Sequence, residues 1–230
     1  MAVVTSLAGD QFRLAPGTVA LSLVLLMLPA PDGVASDWER LFDNGGVEVW
    51  SRPYSGSPLM EYRGERRLEA GLGEIMALLK DADYNRQWVF RSGGARIIAE
   101  NGFAQAYVHG VVDAPWPMED RDTVVRFDYR QDPDTKVIRV EIENFPDYIP
   151  AQPGLVRVPD FGGFWQLTPE PGGEVQVIYQ VHGDPGGLVP NWLANYAAEV
   201  SVTRTLQNMP AAVERYRGQR MPEVLELDTP

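Results

Sequence analysis

The sequence predicts an α+β fold, an antiparallel sheet closed by one long C-terminal helix. Three observations predict it. Stretches of alternating apolar and polar residues recur between residues 47 and 183. The 22 glycines and 19 prolines in 230 residues supply many turns between them. At residue 191 the apolar spacing changes to three- and four-residue steps, the period of a helix.

Taken in order, residues 37–46 (DWERLFDNGG) read as a short helix, capped by Asp37 and stopped at Asn44-Gly45-Gly46. Residues 47–52 alternate and are expected as a strand. In the strand at 59–68, Glu61, Arg63, Glu65 and Arg67 form a wet face opposite Met60, Tyr62, Gly64 and Leu68. Leu72, Ile75, Met76 and Leu79 mark a helical stripe within 72–89. Strands follow at 95–100, 103–112, 122–130 and 136–144, the last two joined by Asp132-Pro133-Asp134. Beyond a proline-rich loop at 146–153 lie further strands, ending with 174–183. Short strands joined by turns, without crossover helices, imply antiparallel pairing.

One face of the 122–130 strand holds Thr123, Val125, Phe127 and Tyr129; the other holds Asp122, Arg126, Asp128 and Arg130. In the last strand Val175, Val177, Tyr179 and Val181 share a side. The sheet therefore has an apolar face that must be covered. The helix from Asn191 to Arg217 is the natural cover, about 40 Å long at 1.5 Å per residue. Trp192, Leu193, Tyr196, Val200, Thr203, Leu206 and Met209 are expected on its inner side, with Glu199, Arg204 and Gln207 facing away. Pro210 is expected to kink or interrupt it. The tail at 218–230 reads as loosely held.

The formal net charge of −12 argues against nucleic acid and against electrostatic docking on anionic lipid. There is no cysteine, which excludes disulfides and thiolate sites. The run TVALSLVLLMLP at 18–29, preceded by Arg13 and followed by GVAS, resembles a secretory signal peptide and is too short to span a bilayer. Residues 1–36 are thus expected to be a signal peptide of an exported, periplasmic or extracellular protein, membrane-tethered if uncleaved. The two histidines lack HExxH spacing, and neither GxSxG nor a P-loop occurs. No catalytic residue, metal site or cofactor is expected.

Four segments carry a family resemblance: DADYNRQW at 81–88, APWPMEDRD at 114–122, GLVRV at 154–158 and DPGGLVPNWLANYAAEVSVTRTLQNM at 184–209. In order and spacing they resemble the START domain, the steroidogenic acute regulatory protein-related lipid transfer family. The resemblance covers 37–217. It implies a helix-grip fold, a curved sheet around the C-terminal helix with a tunnel for one lipid between them. It also implies non-enzymatic binding and transfer by a monomer in transient contact with membranes. Members that bind choline phospholipid carry an arginine and an aspartate where this chain has Asn85 and Val89. That departure points from phospholipid toward a sterol-like, hopanoid-like or other neutral cargo. A polyketide cyclase-like enzyme of related fold and a lipid sensor without transfer activity are the alternatives.

The expected ligand-facing residues follow. Arg121 has the parity of the covered side, where a charge needs a partner: either a ligand head group or a structural ion pair at the strand end. His109 and Tyr107 share a face, and either face of their strand fits the interior. Trp88 matches a family aromatic. Tyr62, Phe127, Trp165, Tyr179, Trp192 and Tyr196 complete the set, most of them aromatic bodies with polar tips.

Overall fold

The computed structural model describes residues 38–227. The expected signal peptide and Asp37 lie outside the described residues. The chain runs β1 (Glu39–Asn44), β2 (Val47–Pro53), β3 (Met60–Leu68), α1 (Leu72–Lys80), α2 (Asn85–Trp88), β4 (Ser92–Asn101), β5 (Gln105–Val112), β6 (Asp120–Gln131), β7 (Ile138–Asn144), β8 (Leu155–Arg157), β9 (Asp160–Glu170), β10 (Glu174–Asp184) and α3 (Asn191–Val213), then a 3₁₀ turn at Glu214–Tyr216. The strands form one sheet in the order β1-β2-β3-β10-β9-β7-β6-β5-β4. All neighbours on that path are antiparallel; β8 pairs in parallel with the start of β6.

Two local expectations are corrected. The segment expected as a helix at 37–46 is β1. Gly45 and Gly46 have φ of +63° and +74°, so they turn a hairpin into β2. The helical stretch at 72–89 is two helices. Between them the Asp81 carboxylate accepts the Tyr84 N–H at 2.9 Å and the Tyr216 hydroxyl at 2.7 Å, which ends α1 and starts a turn.

The inner face of the sheet is packed hardest at one end. Ile75, Met76 and Leu78 of α1, Leu206 and Met209 of α3, and Val140, Leu167 and Val177 of the sheet are at most 1% exposed. There α3 comes closest to the sheet over Gly64. A Cβ added to Gly64 would lie 2.4 Å from Leu206 Cδ1 and 2.7 Å from Val202 Cγ1. Only a residue without a side chain lets helix and strand meet so closely.

Pro210 does not interrupt α3, which continues to Val213. A proline there removes the N–H that would bond the Leu206 carbonyl. Arg66 Nη1 of β3 supplies the missing donor at 2.6 Å. The Arg66→Met variant should strand that carbonyl and cost about 1–3 kcal/mol in chemical denaturation. Adding Pro210→Ala, which restores the helical donor, should recover part of the loss.

The tail is not loose over its described part. The Glu226 carboxylate accepts the Leu72 and Gly73 N–H groups at 3.0 and 2.7 Å, at the positive end of α1. Leu225 exchanges two hydrogen bonds with the Gln131 side chain, and Val224 is buried.

Candidate functional site

Five of the expected residues meet on the inner face. Strand register places Gly64, Tyr179, Trp165, Val140 and Tyr129 side by side across β3, β10, β9, β7 and β6. Trp165 stacks on Tyr179 with centroids 3.9 Å apart, and Trp88 of α2 meets Trp165 at 6.2 Å. Tyr62 and Phe127 lie on the same face. Tyr179 lies so deep that burial raises its hydroxyl pKa far above the ordinary phenol range, yet it keeps accessible surface. Met60, Val108, Phe127, Phe161 and Ala198 also border the core while only partly buried. At the α1 end equivalent side chains lose all their surface. The side chains around the aromatic floor are therefore packed less completely than those at the α1 end.

Arg121 also points to the inner side, at the end of β6, and is 9% exposed. The strand-end ion pair considered for it does not form. Its guanidinium donates to the Glu119 carbonyl, and among the described residues no carboxylate lies within 4.0 Å of it.

Tyr107 and His109 are not brought to this site. Ala106 and Val108 pair with Phe127 and Val125 on the inner face, so Tyr107 and His109 occupy the outer one. Tyr107 stacks on Tyr148 at 4.3 Å under the proline-rich loop. His109 Nε2 lies 2.9 Å from Asp122, whose carboxylate also takes two bonds from Arg157 at 3.0 and 2.8 Å. Arg157 donates further to the carbonyls of Pro146, Ile149 and Pro150, fastening the loop. The polar face of β6 is thus covered here, and Asp122 and Val124 are fully buried. Burial alone would raise the Asp122 pKa; hydrogen bonds from Arg157 and His109 outweigh it and lower it. The wet face of β3 has a similar exception in Glu61, which is buried and bonded to Arg52 at 2.6 Å and to Gln180 at 2.7 Å.

Trp192 and Tyr196 point outward, 71% and 60% exposed. The buried stripe of α3 is Ala194, Val202, Thr203, Thr205, Leu206, Met209, Ala212 and Val213. Thr203, Leu206 and Met209 were expected there, but the stripe as a whole is turned roughly 100° from the expected one, about one residue's turn. The two halves of α3 differ sharply. Ala194 is the one buried residue before Val202, and the start of the helix is tied to β3 by Asn195 Oδ1, which accepts the Met60 N–H at 2.9 Å.

Trp192 belongs to an apolar end of the molecule. Leu188 precedes it and is fully exposed; Trp116, in the loop before β6, is 93% exposed. The Leu188 loop abuts β8, since a Cβ on Gly186 would lie 3.0 Å from Pro159 Cδ and 3.5 Å from Val156 Cγ1. β8 in turn pairs with β6 just after the Trp116 loop.

No family model matches the chain. A solved STAR-related lipid transfer protein from Xanthomonas axonopodis is 35% identical, with a TM-score of 0.72 over 77% of this chain and 99% of that one. The chain belongs to the STAR-related lipid transfer (START) family. A Pseudomonas aeruginosa protein of no stated activity is 33% identical over 186 residues, 81% of this chain and 91% of its own. Rat phosphatidylcholine transfer protein is 26% identical over 195 residues, 82% of this chain and 89% of its own. Human StAR-related lipid transfer protein 5 shares the START fold at 21% identity, with a TM-score of 0.70 over 79% of this chain and 88% of that one. The ten-stranded sheet and long C-terminal helix are the START helix-grip fold.

Two START positions of this chain take part in ordinary packing. Asn85 accepts the Ser92 hydroxyl at 2.5 Å, and Val89 borders the core. Sequence reasoning put Met60 on the apolar face without counting it toward the site, did not single out Val108 or Phe161, and turned Glu199 to solvent. For Glu199, counting back seven residues from Leu206 would have set the helix register.

Proposed function

We propose that the chain binds one hydrophobic lipid in a tunnel between α3 and the inner face of the sheet, and carries it between membranes without catalysis. The observation that carries this reading is Tyr179, deep in the fold on an aromatic floor yet not fully buried. Relatives named as lipid transfer proteins support it. Lipid occupation removes apolar surface from water at about 25 cal/mol per Å². The weakly buried start of α3 is the part that lifts to admit cargo, because segments with few buried contacts open at the lowest cost.

Membrane contact falls to the end that displays Trp116, Leu188 and Trp192. Tryptophan prefers the membrane–water interface, and the net charge of −12 leaves apolar insertion as the attractive force. The run at 18–29 is proposed as an export signal, which the mass of the mature protein checks.

Purified protein extracted with organic solvent should release a lipid to mass spectrometry, and should move labelled lipid between vesicles. The triple variant Trp116→Ser, Leu188→Ser, Trp192→Ser should keep its thermal midpoint and lose vesicle co-sedimentation and transfer by about tenfold or more. Protein that takes no lipid from any vesicle overturns the binding reading. An unchanged transfer rate in the triple variant overturns the docking end.

A further inference from the structure

The inner face of α3 carries one carboxylate that the preceding account does not use. Asn195, Glu199, Val202 and Leu206 follow one another at four- and three-residue steps, so they share a stripe. Both ends of that stripe are pinned to β3. Asn195 holds the Met60 N–H at 2.9 Å, and Val202 and Leu206 close over Gly64. Between Met60 and Gly64 on the same face of β3 stands Tyr62, so Glu199 lies over Tyr62. The two pinned ends leave it no other place on the strand. Electrostatics agree: burial first, and then the charge of Glu199, push the Tyr62 hydroxyl up to about 12.

Glu199 is only partly exposed, and burial raises its own pKa above the ordinary carboxylate range. Among the described residues it forms no salt bridge, and no donor is bonded to its carboxylate. Its neighbour along the helix, Thr203, bonds the Glu199 backbone carbonyl at 2.8 Å instead. The nearest arginine on this face of β3, Arg66, is committed to the Leu206 carbonyl. A carboxylate partly withdrawn from water, with no donor from the protein, gains when something else supplies one. Floor and roof otherwise offer mostly apolar and aromatic surface: Met60, Phe127, Phe161, Trp165, Tyr179 and Ala198.

Resting on the lipid-binding reading, we propose that Glu199 is the head-group anchor of the site and selects lipids whose polar end donates a hydrogen bond. The carboxylate accepts a hydroxyl or ammonium proton, while the apolar body lies along the aromatic floor. Lipids with a bare anionic head are repelled by the same charge, and lipids whose donor is capped leave the carboxylate unpaired. Selectivity then comes from the head group, since the walls treat all apolar bodies alike.

Competitive uptake tests this. The full-length protein is incubated with vesicles holding equal amounts of lipids with the same two oleoyl chains: diacylglycerol, its methyl ether, phosphatidylethanolamine, phosphatidylcholine and phosphatidic acid. A sterol and its 3-methyl ether are included as a second pair. Bound lipid is counted by mass spectrometry. Wild type should enrich the free donor over its methyl ether by about tenfold or more, the ratio lost with one hydrogen bond to a charged group. The hydroxyl and ammonium arms distinguish which donor is used. Glu199→Leu should remove the enrichment while keeping total uptake. Glu199→Gln should weaken it and admit more phosphatidic acid. Retention of wild-type selectivity by both variants, with normal uptake, overturns the anchor alone. No uptake of any lipid by wild type overturns the lipid-binding reading and the anchor with it.

Discussion

Replacing Asp122 by alanine should lower the unfolding free energy by about 3–5 kcal/mol, the range for breaking a buried ion pair from one side. Asp122 is fully buried, and Arg157 beside it is 13% exposed. Without the carboxylate, Arg157 keeps its charge but loses both acidic contacts, and His109 loses its partner. The loop that Arg157 fastens through Pro146, Ile149 and Pro150 should loosen with it. Arg157→Met made together with Asp122→Ala should cost less than the sum of the two, because the stranded charge is gone. The pH dependence has a definite sign. The folded state holds the Asp122 pKa below its ordinary value, so the stabilisation is present above about pH 4, the unfolded carboxylate value, and fades as pH falls through the folded one. The gap between wild type and Asp122→Ala should therefore narrow in acid. A neutral-pH difference under about 1 kcal/mol in urea denaturation would refute this account of the cluster.

Tethering the start of α3 to β3 should abolish transfer. Asn195 and Met60 touch at 2.9 Å where the helix meets the strand, and the chain has no cysteine of its own. In the pair Asn195→Cys and Met60→Cys, oxidation meets no competing thiol, so any intramolecular disulfide is the intended tether. Before Val202 the helix buries only Ala194, whereas its second half buries seven residues including Leu206 and Met209. Opening at the first half is thus the low-cost motion, and the second half acts as its anchor. Oxidised protein should move lipid between vesicles at least tenfold more slowly, and reduction should restore the rate. Lipid loaded before oxidation should stay bound. Equal rates in both redox states would show that cargo enters elsewhere.

Much of the fold is legible from alternation alone. In β6 the set Thr123, Val125, Phe127 and Tyr129 separates cleanly from Asp122, Arg126, Asp128 and Arg130, and Val125, Phe127 and Tyr129 do join the core. The ordered motifs lead to the family that the 35% identity with the Xanthomonas protein shows. The failures share a cause, which is that a local pattern names a face without naming what lies against it. Asp122 falls on the polar face of its strand, but the pattern gives no hint that Arg157, 35 residues away, covers it. Pro210 looked like a break because its lost hydrogen bond is local, but the replacement donor is Arg66, on a distant strand.

The sequence alone names most of the strands from β2 onward, the apolar side of the sheet, and the need for a long helix to cover it. Each follows from residue spacing, which backbone geometry converts directly into direction. Which side of α3 turns inward, and that Tyr107 and His109 lie on the outer face, came only from the folded contacts. Helix rotation and strand facing depend on close approach at particular points, such as Gly64 beneath Val202 and Leu206. Such contacts join residues more than a hundred positions apart, and no repeat along the chain encodes them.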